Sequence, residues 1–144
     1  MDDKKYVTLQ ENEQVTESLY KYLQSLNICV EMRMEYISAN LSCMQFKPIS
    51  TAYKTRTNII GGYDAELPFA IYYQAKEVDT QKPLNILGSM FEMETHNGFP
   101  NLQLNGYTPE KLEMISTPAI DLEKESNMAV FTAMYKLTYK KKAR

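Results

Sequence analysis

The stretch ELPFAIYYQAKEV, residues 66–78, has apolar side chains on both sides of a predicted strand. Read with a period of two, one side consists of Leu67, Phe69, Ile71, Tyr73 and Ala75. The other side consists of Pro68, Ala70 and Tyr72. A strand with apolar groups on both faces must be covered on both faces. The stretch therefore predicts a strand that needs two covering layers.

Two amphipathic helices are available as cover. The first is predicted over residues 10–26, where one apolar stripe recurs with helical spacing at Val15, Leu19, Tyr22, Leu23 and Leu26. Thr8 and Glu11 have the spacing of a capping box at its start, and Asn27 is a plausible stop.

The second helix follows the opening strand. Asp79 and Thr80 are its predicted cap, Pro83 fits its first turn, and Asn97-Gly98 ends it. Its stripe is predicted at Leu84, Leu87, Met90 or Phe91, and Met93 or Glu94.

Four further segments alternate as strands do. Residues 28–36 and 42–49 are joined by a short turn at 38–40, which predicts an antiparallel hairpin. Residues 110–122 alternate up to Pro118, which predicts a bulge or a sheet edge there. Residues 127–139 have the clearest alternation, with Ala129, Phe131, Ala133, Tyr135, Leu137 and Tyr139 on one face.

The order of elements predicts an α+β fold. We expect a mostly antiparallel sheet of about five strands with two helices packed on one face. Residues 49–62, with Lys54, Arg56 and the turn Gly61-Gly62, are predicted to form an extended hairpin or loop arm that contacts partners, or a solvated surface loop. One domain over residues 1–144 is expected, with 1–8 and 140–144 flexible at its ends.

Composition excludes several classes of function. The net charge is −2, which argues against a dedicated nucleic-acid binder, although residues 139–144 form a basic tail. Cys29 and Cys43 are too few for a disulfide framework, and the N-terminus has no secretory signal. No apolar run is long enough to cross a membrane. We therefore expect a soluble protein from a reducing compartment.

No reaction centre emerges from the sequence, so an enzyme is not expected and no cofactor or metal is predicted. His96, the single histidine, stands at a helix end where it favours the helix dipole. The two cysteines and His96 lack the spacing of a zinc site, and Gly61-Gly62 is followed by a strand where a phosphate-binding loop needs a helix. The acidic residues are scattered.

The uncovered side of residues 67–75 predicts an oligomer. Two helices cover one face of the sheet, and a neighbouring subunit is the economical cover for the other. The alternative is that the turn-rich connection 98–109 folds over this second face. The predicted contact residues lie in the arm, on the outward side of the strand and in the basic tail: Tyr53, Lys54, Arg56, Ala70, Tyr72, Lys140, Lys141 and Lys142.

Several segments together resemble a family of small phage proteins. In chain order they are Gly61-Gly62-Tyr63, residues 65–73 with the pattern A-x-L-P-F-x-I-x-Y, the helix 79–94, Thr117-Pro118-Ala119, the acidic segment 123–125 and the aromatic segment 130–139. This order is similar to that of minor capsid or tail terminator proteins of long-tailed bacteriophages of Gram-positive bacteria, over residues 15–142. Where that family often has Gly before the last strand, this chain has Ser126 and Asn127, and Asn tolerates the same turn.

The resemblance implies a structural virion protein without catalytic residues. Such proteins form rings, commonly hexamers, that cap the tail tube and then meet the head completion or connector protein. It implies assembly in the host bacterial cytoplasm, a place at the tail–head interface, and DNA only as a passenger through the ring lumen. Three alternatives remain open: another neck protein such as a head completion protein, a small-molecule binding module, and a nucleic-acid accessory protein that uses Lys54, Arg56 and the 140–144 tail.

Overall fold

The computed structural model describes residues 5–26, 31–33, 43–57, 60–76, 82–123 and 128–142. Within these ranges the chain forms two helices and seven strands. In chain order they are β1 (Lys5–Tyr6), α1 (Leu9–Ser25), β2 (Glu31–Arg33), β3 (Cys43–Pro48), β4 (Tyr53–Thr57), β5 (Tyr63–Lys76), α2 (Lys82–His96), β6 (Thr108–Glu123) and β7 (Met128–Lys141).

Residues 66–76 of the opening stretch lie in β5, which is the central strand of the sheet. β7 runs antiparallel to the whole of β5 on one side, and β6 pairs with β7. On its other side β5 is shared, because β4 pairs with its first half and β3 with its second half, both antiparallel. β1 pairs with the other side of β4, and β2 pairs with the other side of β3. The α+β prediction, with five principal antiparallel strands and two helices, is confirmed.

Pro68 has no N–H to donate to a neighbouring strand, so its place within β5 matters for the hydrogen bonds of the sheet. β5 begins at Tyr63, so Pro68 lies in its interior, opposite Lys136 of β7. Its carbonyl oxygen accepts a hydrogen bond from the Ile49 N–H, 3.0 Å away, on the side of β3 and β4. In an antiparallel ladder the N–H and C=O of one residue face the same neighbour. The N–H that Pro68 lacks would point to the side of β3 and β4, between Glu66, the last residue paired with β4, and Phe69, the first paired with β3. The pairing of β5 with β7 is therefore uninterrupted.

The predicted antiparallel hairpin of residues 28–36 and 42–49 is wrong in its pairing. β2 pairs with β3 in parallel, with Met32 opposite Met44, and β3 takes its antiparallel partner from β5. Alternation reports which face a residue occupies and not the direction of the neighbouring strand. The predicted turn at 38–40 lies outside the described residues.

The predicted arm contributes a strand to the sheet. Tyr53–Thr57 forms β4, Gly61 adopts the left-handed conformation (φ 97°) in the turn that follows, and residues 58–59 lie outside the described part. At the ends of the domain, Lys5–Tyr6 pairs with β4, and Lys140 and Lys141 form the last pairs of β7 with β5.

Helix α1 begins and buries its stripe as predicted. The Thr8 side chain caps it by accepting a hydrogen bond from the Glu11 N–H at 3.2 Å. Val15, Leu19, Tyr22 and Leu23 are buried, and Leu26 is partly buried against them.

Helix α2 ends as predicted, with Gly98 in the left-handed conformation (φ 79°) just after it. Its buried stripe is Leu84, Leu87, Phe91 and Glu94, whereas Met93 is 64% exposed. Of the two pairs of alternatives that the spacing left open, the buried members are therefore Phe91 and Glu94. The predicted cap at Asp79 and Thr80 lies outside the described residues.

Both helices pack on the same face of the sheet, which we call the inward face. The ring of Phe91 from α2 packs edge-on against Phe69 of β5 and Tyr135 of β7, and Tyr20 of α1 stacks on Phe46 of β3. These contacts belong to one core that includes every inward residue of β5 from Tyr63 to Tyr73. We call the opposite side of the sheet the open face.

The connection after α2 lies on the inward face, which corrects the alternative that it folds over the other side. Leu102 and Leu104 are buried in the core, and the Tyr107 ring packs edge-on against inward-facing Tyr139. The Gln14 side chain of α1 donates to the Asn105 carbonyl at 3.0 Å. Apolar Leu102 and Leu104 hold the connection beside α1, so in the described part of the chain both helices and this connection share one face.

Candidate interface on the open sheet face

The open face is divided into two halves of different chemistry. Toward the end of β5 and the start of β7, the side chains of these two strands form an apolar half, Ala70, Tyr72, Val130, Thr132 and Met134, which Gln45 and Lys47 of β3 flank on the other side. Toward the start of β5 and the end of β7, its side chains form a charged half: Asp64, Glu66, Lys136 and Lys140, with Glu110 and Glu113 from β6. A patch of apolar side chains with a charged rim on one side is the usual anatomy of a protein–protein interface.

The apolar half is continuous across β5 and β7. Ala70 lies directly opposite Met134, and Tyr72 lies directly opposite Thr132. Ala70 is only 5% exposed because its small side chain stands between Met134 on one flank and Lys47 of β3 on the other. Met134 is 37% exposed. The sheet itself therefore builds a shallow apolar floor that a flat partner could cover.

The charged half is held by pairs within the sheet. The Tyr53 hydroxyl donates to Glu66 Oε1 at 3.1 Å, and Lys136 Nζ lies 3.4 Å from the same oxygen. Lys140 stands opposite Asp64, with Glu110 beside them. Desolvation, followed by the neighbouring Asp64 carboxylate, raises the pKa of Glu110, while Lys140 lowers it.

The structure brings most of the predicted contact residues to this face. Tyr53, Arg56, Ala70, Tyr72 and Lys140 all occupy outward positions, because each stands opposite an outward residue of its neighbouring strand. Lys54 and Lys141 are on the inward side, where both ammonium groups lie over the Tyr63 ring. Lys142 follows the last strand and is exposed.

Strand β6 forms one edge of the sheet, since β7 is its only partner among the described strands. Its register with β7 shifts at four places, and one shift, between Ser116 and Ala119, spans Pro118 as predicted. Bulges and prolines are devices that protect a sheet edge from pairing with another chain. The open face is therefore a better candidate for contact than this edge.

A groove of about 640 Å³ runs between α2 and β6. Gly88 of α2 lets the two elements approach, because a Cβ atom there would lie 2.9 Å from the terminal methyl of Met114. The groove is lined largely by polar and charged groups, including Asn85, Glu92, His96, Lys111 and Glu113. His96 lies in the last turn of α2, as predicted.

Two buried carboxylates make hydrogen bonds that the sequence did not predict. Glu11 accepts hydrogen bonds from the hydroxyls of Tyr139, at 2.7 Å, and of Tyr63. Glu94 accepts from the backbone N–H groups of Asn101, at 2.7 Å, and Leu102, at 2.6 Å. Each falls on the apolar stripe of its helix, and that position was the available signal.

These carboxylates hold parts of the core together through hydrogen bonds. Burial, followed by the hydrogen bond to Glu11, raises the pKa of Tyr63 and of Tyr139 above the usual range, so both phenols stay protonated donors. The connection turns sharply after α2, and the Glu94 carboxylate accepts hydrogen bonds from its backbone N–H groups at Asn101 and Leu102. Within the described ranges no three His, Cys, Asp or Glu side chains form a group that could hold a metal ion.

Compared with known proteins, the chain matches no protein-family model and no curated protein sequence. None of the helices in the described residues is both long and apolar enough to span a membrane.

Proposed function

We propose that this chain is a structural virion protein of a long-tailed bacteriophage, a tail terminator or minor capsid protein. Copies of it form a ring, with six as the expected number, that caps the tail tube and joins it to the head connector. The protein assembles in the host cytoplasm and resides at the tail–head interface. Its contacts with neighbouring copies are made through the apolar half of the open face.

The observation that supports this proposal is the open face. Ala70, Tyr72 and Met134 form an apolar floor on the side of the sheet away from both helices. Burying such a floor against a neighbour gains about 25 cal/mol for each Å² of apolar surface removed from water. The resemblance of the sequence to phage terminators is the second support, and it says which kind of assembly the floor serves.

A closed ring requires a head-to-tail contact between two different surfaces of the chain. The open face supplies one broad surface with an apolar half and a charged half. Pairs such as Lys136 with Glu66 cost little to rearrange at a surface, and they give register and specificity more than affinity. The apolar half then carries the binding energy.

Reconstitution with the natural partners tests the assignment. The labelled protein is mixed with purified tail tubes of the phage that encodes it, and separately with its head connector, and the particles are imaged by electron microscopy. We expect the label at one end only of each tube, and arrest of tube growth at that end. Ala70→Lys places a charge on the apolar floor and should abolish the end label. Thr138→Lys, an outward position in the charged half, is the matched control and should retain it.

The result separates the terminator from its nearest rival. A head completion protein would bind the connector and leave free tube ends bare. Label along the whole length of the tubes, or none on either partner, contradicts a role at the tail–head joint.

A further inference from the structure

Basic residues of β4 and of the end of β7 lie at the same end of the sheet, although more than eighty residues separate them in the sequence. Arg56 of β4 stands opposite Asp64 of β5, and Lys140 of β7 stands opposite the same residue from the other side. At the preceding residue, which begins β5, Tyr63 is flanked by Thr57 of β4 and Lys141 of β7. We call this cluster the basic end, and it consists of Lys54, Arg56, Lys140, Lys141 and Lys142.

Two of these cations converge on a single ring. The ammonium nitrogen of Lys54 lies 4.5 Å from the centroid of the Tyr63 ring, and that of Lys141 lies 5.7 Å from it. A cation over an aromatic face is attracted by the negative charge of that face. Both ammonium groups are therefore held at the Tyr63 ring, where they attract a ligand with several negative charges.

The carboxylates nearby do not balance the basic end. Asp64 and Glu110 are close to each other as well as to Lys140, and their mutual repulsion contributes to the raised pKa of Glu110. Glu11 is buried beneath Tyr63 and is engaged by two tyrosine hydroxyls. Arg56 and Lys140 on the open face, Lys54 and Lys141 on the inward face and the exposed Lys142 thus meet at one end of the sheet, on a chain whose net charge is −2.

We propose that the basic end binds the phosphate backbone of double-stranded DNA without reading its sequence. Lysine and arginine contacts to phosphates supply this kind of binding. Binding of single strands normally adds aromatic side chains on which bases stack. The Tyr63 ring is 7% exposed and lies under the two lysines, so it offers no stacking surface. The cluster is complete in one copy of the chain, so the proposal does not rest on ring formation.

Fluorescence anisotropy with a short labelled duplex, measured over a series of salt concentrations, tests the proposal. The affinity should fall as salt rises, with a slope of about −0.9 in log–log form for each phosphate contacted. The triple variant Arg56→Gln, Lys141→Gln, Lys142→Gln removes three exposed cations from the basic end. We expect it to weaken binding and to make the slope shallower by about 3.

The control variant removes three exposed lysines from elsewhere: Lys21→Gln, Lys47→Gln and Lys111→Gln. It has the same net charge as the first variant, and it should keep the slope of the natural chain. Circular dichroism checks that both variants fold, and the single variants Arg56→Gln and Lys142→Gln replace the triple if it does not. Equal losses in the two triples, absence of duplex binding at low salt, tighter binding of single strands, or equally strong competition by polyglutamate would each overturn the proposal.

Discussion

Glu11 shows how one charged residue in an apolar stripe organises the packing around it. It precedes Val15 and Leu19 at helical spacing and is buried beside them. An unpaired carboxylate there would cost several kcal/mol, and the hydroxyls of Tyr63 and Tyr139 compensate for that cost by donating to it. The contact ties the first turn of α1 to the start of β5 and the end of β7.

Replacing Glu11 with Gln should destabilise the fold. The change removes the charge that both tyrosine hydroxyls bind, and hydrogen bonds to charged groups contribute about 1.5–3 kcal/mol each. We expect a loss of about 1–3 kcal/mol in the free energy of unfolding, measured by urea denaturation. Glu13→Gln, an exposed change in the same helix turn, should stay within about 0.5 kcal/mol. Equal effects of the two variants would contradict the role of Glu11.

High pH should destabilise the protein through its buried tyrosines. Burial raises the pKa of Tyr63, Tyr135 and Tyr139 in the folded chain above the ordinary value of 10.0. Above pH 10 the unfolded chain therefore loses protons that the folded chain keeps, and this favours unfolding. Stability is fully present below pH 10 and is lost as pH rises further, by up to about 1.4 kcal/mol per pH unit for each tyrosine.

The variant Tyr63→Phe tests this pH dependence. It should reduce the slope of unfolding free energy against pH above pH 10, because it removes one tyrosine whose pKa is raised in the folded chain. A slope that is identical in Tyr63→Phe and the natural chain would refute the assignment.

At the scale of the element, β5 is defined by its neighbours more than by its own sequence. Its alternation predicted which residues are buried, and the structure places Leu67, Phe69 and Ile71 in the core accordingly. Its start, and the place of Pro68 within it, depend on where the partner of β5 changes from β4 to β3. The direction of β2 likewise follows from pairing between segments distant in sequence, about which the alternation of either strand says nothing.

The close approach of α2 and β6 at Gly88 should be sensitive to side-chain volume. Gly88→Ala brings a methyl group against the flexible end of Met114, which can shift, and the gain in helix propensity of about 1 kcal/mol offsets that cost. Gly88→Leu exceeds the space beside Met114 and should lower the unfolding free energy by about 1–3 kcal/mol. Ser89→Leu, at an exposed neighbouring position, is the control. Thermal melts in which Gly88→Leu is as stable as Ser89→Leu would contradict the packing.

At the scale of the whole molecule, the sequence predicts the two layers of the fold, whereas the chemistry of the open face is known only from the structure. Two helices and five principal strands could be predicted because burial imposes periods of 3.6 and 2 on the apolar residues. The division of the open face into an apolar and a charged half could not, since it depends on the register between β5 and β7. The gathering of Arg56 with Lys140 depends on the same register.

The mass of the assembled particle in solution tests the central claim that the open face joins copies of this chain. Mass photometry is carried out over a range of protein concentrations on the natural chain, on Ala70→Lys and on Thr138→Lys. We predict a particle six times the mass of the 16.7 kDa chain for the natural protein and for Thr138→Lys, and a folded monomer for Ala70→Lys. If the natural chain forms no oligomer, with or without tail tubes, or if Ala70→Lys assembles as well as the natural chain does, the claim is contradicted.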